Sequence, residues 1–441
     1  MDTVTAARSL MGMSLAFHIC FTALGIGLPL FLFLAEGLAL RTGNQDYRGM
    51  ARRWTRVAAV LFAIGAVSGT ILSFEFGLLW SPFMAKWGEV FGLPFALEGF
   101  AFFTEAIFLA IYMFGRERLS ARAHWLVTIP IVISSAASAF FVISANAWMN
   151  QPDGFDLVDG MITNVRPLDA MFNSAFPYEF VHGTMASYVA TGFALAGVYA
   201  LAMLRGDRSD YNRRALVLAL AVGAVAIPLQ IASGDFSARF VAEKQPEKFA
   251  AMEGQYETET GAPLRLGGWP DLTRGETKFA IEIPKFGSFL AFRDFGAEVR
   301  GLNSFPPDER PDARKVHVPF QVMVASGFYM LFVAGVFFAI ALFRRVLPLG
   351  KTMLLLVAST LPLGFVAIEA GWFVTEFGRQ PWIIWHVMRV SEAATPQEGV
   401  VLLLVAFGVV YVALTAGLVL LLLVPDVLSR VGRSPGITRV A

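Results

Sequence analysis

Five histidines are spread over 441 residues, and only His18 and His182 fall inside long apolar runs. His124, His317 and His386 fall in connecting segments or at the edges of such runs. A ligand-grade side chain is costly to bury in hydrocarbon, so each one inside a membrane span is a functional candidate. Met323 lies near the start of another run and Glu376 at the end of a further one. Imidazole and thioether together suit a low-spin haem iron. Plainer readings stand beside this one: a hydrogen-bonded histidine between helices or, among 16 methionines, an ordinary packing residue.

The carboxylates are spaced as regularly. Glu98 and Glu105 are seven residues apart, nearly two helical turns, which puts them on one face about 10 Å apart. Glu369 and Glu376 repeat the spacing. Such pairs either relay protons toward a buried reaction centre or stand protonated and hydrogen-bonded with no further role. Glu75 is a weaker, isolated candidate. The string WFVTEFGRQPW, residues 372–382, gathers Trp372, Glu376, Arg379, Gln380 and Trp382. Its helix must stop before Pro381, and Gly378 suggests a terminating turn. Arg379 there either holds an anionic group such as a haem propionate or snorkels to the interface.

The elements that position these residues follow from composition. The chain is 56% hydrophobic and only 16% charged, against roughly 25% charged for a soluble protein; mean hydropathy is +0.60. An all-α integral membrane protein is expected, with about nine transmembrane helices near 12–40, 54–80, 92–115, 124–149, 180–204, 213–234, 318–344, 352–376 and 400–424. The first run is too long for the apolar part of a signal peptide. Net charge of +1 gives no sign of a nucleic-acid partner, and a single Cys20 excludes internal disulfides and cysteine-built metal clusters.

Alternate connections are rich in cations. One set runs from Arg41–Arg56 through Arg116–Arg122, Arg205–Arg214 and Arg344–Lys351 to Arg430, Arg433 and Arg439. The positive-inside rule makes that set cytoplasmic, which puts the N-terminus outside, the C-terminus in the cytoplasm, and requires an odd number of spans. The organisation expected is helices one to six in 1–234, a long outer loop in 235–317, and helices seven to nine with a cytoplasmic tail in 318–441. No internal repeat of the kind many transporters carry is evident.

Several strings together resemble subunit I of cytochrome bd-type quinol oxidases: the His18 helix, LEGFAFFTE, SANAWMNQP, FVHGTMASYVATG, FQVMVASG and GRQPW, in order over essentially the whole chain. The resemblance implies a haem-bearing subunit of a terminal respiratory oxidase that oxidises quinol at the outer face and reduces dioxygen to water. His182 and Met323 would ligate a low-spin haem b. His18 and Glu376 would each ligate one of two high-spin haems, one a haem b and the other haem d or a further haem b. Glu98, Glu105, Asn146 and Trp372 would surround these haems, with Glu105 on the route of protons from the cytoplasm, so that turnover builds proton-motive force. Residues 235–317 would form a short quinol-binding loop, whose KFAAME carries Lys248 and Glu253; as bare sequence, a Lys–Glu pair five apart is ordinarily solvated surface. Gln321, two before Met323, stands where many members carry arginine. The resemblance also implies a bacterial cytoplasmic (inner) membrane, a second membrane subunit (subunit II) and a single-helix small subunit. Two other readings compete: a secondary transporter coupling through Glu98, Glu105 and Glu369, and a structural membrane subunit whose polar groups only hold helices together.

Overall fold

A computed structural model describes residues 1–423 of the 441. The cationic residues Arg430, Arg433 and Arg439, and the tail expected at the end of 318–441, lie outside the described residues. Among those described, nine segments are long and apolar enough to cross a bilayer. They comprise α1 (Thr3–Thr42), α2 (Gln45–Leu79), α3 (Ser81–Phe114), α4 (Thr128–Asn150, preceded by the short helix Ala121–Leu126), α5 (Phe176–Leu204) and α6 (Asp210–Lys244). After a short helix α7 (Pro246–Glu253) come α8 (Ala313–Arg344), a two-part span α9 (Lys351–Ser359) and α10 (Leu363–Gly378), and α11 (Val400–Leu423).

The helices outlast the runs that announced them. α1 has 40 residues, about 60 Å at 1.5 Å per residue, twice the hydrocarbon thickness. Hydropathy reports where lipid begins, not where the backbone stops hydrogen bonding. The largest extension is in α3, which starts at Ser81 rather than 92. Pro82 sits in its first turn, where a missing N–H costs nothing, so only Trp80 separates α2 from α3. α6 likewise continues to Lys244, so its last turns occupy the start of the segment expected to be loop from 235. The eighth span, expected as one helix over 352–376, is broken: Thr360, Leu361 and Pro362 interrupt it, because proline cannot donate the backbone hydrogen bond that continuity requires.

α5 is the central helix, with 67% of its most apolar stretch buried, whereas α11 at 11% is peripheral and offers its sides to lipid or a neighbour. Lipid gives helices no hydrophobic reason to associate, so close approach of small residues must supply it. A Cβ added at Gly364 on α10 would lie 2.4 Å from Ala190 Cα on α5, and one at Gly192 on α5 would lie 2.9 Å from Gly223 N on α6. Leu361, in the break of the eighth span, fills the space over Gly197. At the far end from His18, Glu36 on α1 accepts from Tyr112 Oη at 2.8 Å and Arg116 Nη2 at 2.7 Å. That buried network joins α1 to α3.

The connection between α7 and α8 is built from short antiparallel pairings. Residues 264–266 pair with 281–283, and 269–271 with 276–278, forming one extended hairpin closed around Gly275.

Because backbone, not a flexible side chain, opposes Gly364, Gly364→Ala should force α10 away from α5. A cost of about 1–3 kcal/mol is expected, read as a lower midpoint of thermal unfolding in detergent. Gly335→Ala on α8, with no atom within 4 Å of the added carbon, should leave that midpoint unchanged.

Candidate functional site

His18 on α1 and His182 on α5 are held by the same local device. His18 Nδ1 lies 2.8 Å from Ser68 Oγ, and the hydroxyl hydrogen of Ser68 is directed to the carbonyls of Ile64 and Gly65. Ser68 is therefore an acceptor, Nδ1 carries the proton, and the Nε2 lone pair is left available. His182 Nδ1 lies 3.1 Å from Ser233 Oγ, which donates to Gln230 O at 2.8 Å. The Gln230 amide also approaches both of its ring nitrogens, at 3.3 and 3.1 Å. A hydrogen bond to one ring nitrogen is what sets the other up as a metal ligand.

Glycines make room for these side chains. A Cβ at Gly69 would stand 3.1 Å from His18 Cε1, one at Gly234 would stand 3.1 Å from His182 Cε1, and one at Gly371 would meet Met323 Sδ at 2.9 Å. Each candidate ligand thus lies over a neighbouring helix at a point where only a missing side chain admits it.

These residues face one cavity of about 1920 Å³, well above the roughly 300–1,000 Å³ of ordinary ligand pockets. His18, His182, Met323, Glu376, Glu98 and Glu105 line it, together with Asn146, Trp372, Arg379, Lys248 and Glu253. Glu75 and Glu369 do not. Glu75 takes a hydrogen bond from Ser14 at 2.6 Å, and Glu369 accepts from Cys20 at 3.4 Å. The three carboxylates of the transporter reading are therefore not gathered into one site.

Arg379 does not snorkel; it is 1% exposed. Its Nη2 donates to Glu376 Oε2 at 2.6 Å, while Nε and Nη1 are buried with no partner among the described residues. A buried guanidinium with two free donors beside a wide apolar cavity is built to receive an anionic oxygen group. The carboxylate arms of a porphyrin fit that requirement, and the imidazole and thioether donors fit its iron.

Gly378 has a different role from the turn expected of it. The residue after it, Arg379, has φ of −86°, so no left-handed cap forms. Instead, a Cβ at Gly378 would meet Lys248 Cγ at 2.7 Å: the lysine crosses the end of α10. The surface reading of KFAAME is overturned with it. Lys248 and Glu253 are 4% and 9% exposed because α7 tucks inward against α6, α8 and α10. Burial pushes the Lys248 amine down to about 8, against the opposing pull of Glu179. Burial lifts Glu253 to about 7, with Arg265 countering, and its Oε2 has no partner among the described residues.

A continuous hydrogen-bond chain joins this lysine to Glu376. Lys248 Nζ donates to Asn150 Oδ1 at 3.3 Å, and Asn150 Nδ2 reaches Glu179 Oε1 at 2.9 Å and Asn146 Oδ1 at 3.2 Å. Asn146 Nδ2 then donates to Glu376 Oε1 at 2.9 Å. Sequence reasoning missed Glu179 and Asn150. The available signal was an acidic first-turn residue after Pro177 and a second asparagine one turn past Asn146. Arg8, also missed, lines the cavity, as Glu179 does. On the third helix, Glu98 accepts from Ser138 at 2.9 Å, and Glu105 is 8% exposed.

Comparison with known proteins identifies the family. The family profile described as cytochrome bd terminal oxidase subunit I matches residues 6–425. A Bacillus subtilis relative, whose description provisionally reads cytochrome bd menaquinol oxidase subunit I, is 38% identical over 96% of both chains. Cytochrome bd-II ubiquinol oxidase subunit 1 of Escherichia coli is 29% identical over 89% of this chain and 90% of its own. The bd oxidase structure from Geobacillus thermodenitrificans superposes with a TM-score of 0.91 at 38% identity, covering 98% of this chain and 99% of that one. With a match this long, on a fold this close, the chain belongs to the cytochrome bd terminal oxidase subunit I family.

Proposed function

We infer that the chain, as a member of this family, is part of a terminal respiratory oxidase, a multi-subunit membrane oxidoreductase for which haem and quinol are implied. We propose that this subunit carries all the haem of the complex, with His182 and Met323 holding a low-spin haem b. His18 and Glu376 each hold one of two high-spin haems, a haem b and a haem d or further haem b. The observation that carries this reading is the pair of histidines that line one cavity, each with Nδ1 held against a serine hydroxyl. When bound, haem iron supplies reversible electron transfer and dioxygen binding.

The remaining work falls to the chain's own side chains. Residues of the loop taken as 235–317 receive quinol on the outer side, where Glu253 accepts a hydroxyl proton and Lys248 orients an oxygen. The two free donors of Arg379 bind a propionate and hold it near Glu376. Trp372 and Asn146 pack beside the ligands, and the Asn146–Asn150 chain fixes Glu376 relative to Lys248. Glu98 and Glu105 pass cytoplasmic protons toward the cavity, so uptake on one side and release on the other is electrogenic without a separate pump. The positive-inside rule supports this sidedness. Membrane spans one to six and seven to nine flanking that loop are the working division of the chain, set in the bacterial inner membrane beside subunit II and a single-helix small subunit.

Three outcomes test the proposal. His182→Ala should remove the low-spin haem signal from reduced-minus-oxidised spectra of the purified complex; an unchanged spectrum in folded protein would overturn the ligand assignment. Glu105→Gln should slow oxygen consumption roughly 10- to 100-fold while pyridine-haemochrome content stays level, and undiminished turnover would exclude a relay role. The pH profile of quinol kcat/KM should be bell-shaped. Glu253 must be deprotonated to act as base, so activity rises through about 7; Lys248 must be charged, so it falls above about 8. Lys248→Met should flatten the alkaline limb.

A further inference from the structure

His317, in the first turns of α8, is fully buried, and both of its ring nitrogens meet backbone carbonyls. Nδ1 lies 2.7 Å from Met252 O and Nε2 lies 2.8 Å from Gly267 O. A carbonyl oxygen only accepts, and a neutral imidazole has one N–H. A neutral ring would therefore set one nitrogen lone pair against an oxygen lone pair at under 3 Å. Turning the ring over offers C–H groups instead and resolves nothing. Both contacts are satisfied only when both nitrogens carry hydrogen.

Met252 O belongs to the last turn of α7, whose carbonyls lack intrahelical partners and form the negative end of the helix dipole. Glu253 is the next residue. Arg265, two residues before Gly267, donates to Glu282 at 3.0 Å and to Gln255. On α8 itself, Lys315 is turned away over the Phe377 ring.

The same face of α8 completes the grip. Gln321, one turn on, accepts from Gly267 N at 3.0 Å and donates to Arg265 O at 3.2 Å. The Gly267 peptide is thus held at both its N–H and its C=O. Thr277 of the hairpin donates to Gly254 O at 2.7 Å, closing the other side of the α7 terminus.

We propose that His317 is a positioning residue for quinol oxidation: a buried imidazolium whose two hydrogen bonds fix the Met252–Glu253 end of α7 against the Gly267 turn, so that the Glu253 carboxylate is presented to quinol. The inference rests on the reading of this loop as the quinol site. It adds that the proton acceptor's position depends on a charge it never touches, on the helix that six residues later carries Met323.

The test uses the intact complex with His317→Gln and His317→Phe. His317→Phe removes both donors; His317→Gln keeps one. Losing charge-assisted hydrogen bonds should raise the KM for a short-chain quinol on the order of tenfold in His317→Phe, with a smaller rise in His317→Gln. Haem absorbance and oxygen consumption driven by a one-electron dye should stay at parental levels, which general loosening of the fold would not permit. A quinol KM within about twofold of parent in either assembled variant overturns the proposal, as does equal loss of dye-driven and quinol-driven rates. Should His317→Phe not assemble, the His317→Gln value alone decides. A parent complex that lacks haem or does not oxidise quinol refutes the functional reading instead, and does so before any variant is made.

Discussion

An imidazole buried in a membrane has two ring nitrogens and no water to satisfy them. That constraint organises much of this structure. Ser68 and Ser233 resolve it by giving their own hydrogens to helix carbonyls and accepting from Nδ1. For the serines to reach, the helices must approach closely, and Gly69 and Gly234 remove the side chains that would prevent it. A packing feature and a tautomer are thus one decision. The central position of α5, the small residues along it, and the break at Pro362 that lets Leu361 cover Gly197 are consequences at longer range.

The same logic applied to charge explains where polar groups stand unpaired. Most buried donors and acceptors here are matched within the protein, as membrane burial demands. Among the exceptions at the cavity are Nε and Nη1 of Arg379 and Oε2 of Glu253. The first faces the space in which an anionic arm would lie, and the second sits on the segment proposed to meet quinol. Unpaired atoms at a buried site cost stability, so their presence points to a partner that the chain alone does not supply.

Spans and site were legible to different degrees. Nine crossings were readable because twenty apolar residues have few other uses. Their ends were not, since a helix that projects into water loses its hydropathic signal but none of its hydrogen bonds. His18, His182 and the Glu98–Glu105 pair were readable because each is an anomaly in lipid. Lys248 and Glu253 were not readable as site residues from the bare residues, where a charged octapeptide looks solvated; the family resemblance singled them out, and only tertiary contact with α10 shows the pair buried. Glu179 and Asn150 escaped because, at the head or tail of a span, they look like interface residues. His317 was noted at the edge of a run, yet its two acceptors lie 65 and 50 residues away in the chain, a relation no local pattern encodes.

The missing side chain at position 378 reaches beyond packing. Lys248 occupies the volume a Cβ would fill, so a lineage acquiring even alanine at 378 must shorten or redirect residue 248. Evolution is therefore not free to alter these two sites separately. A substitution at 248 is felt at the foot of the helix bearing Glu376, and the pair should vary together or stay fixed together among descendants of this chain.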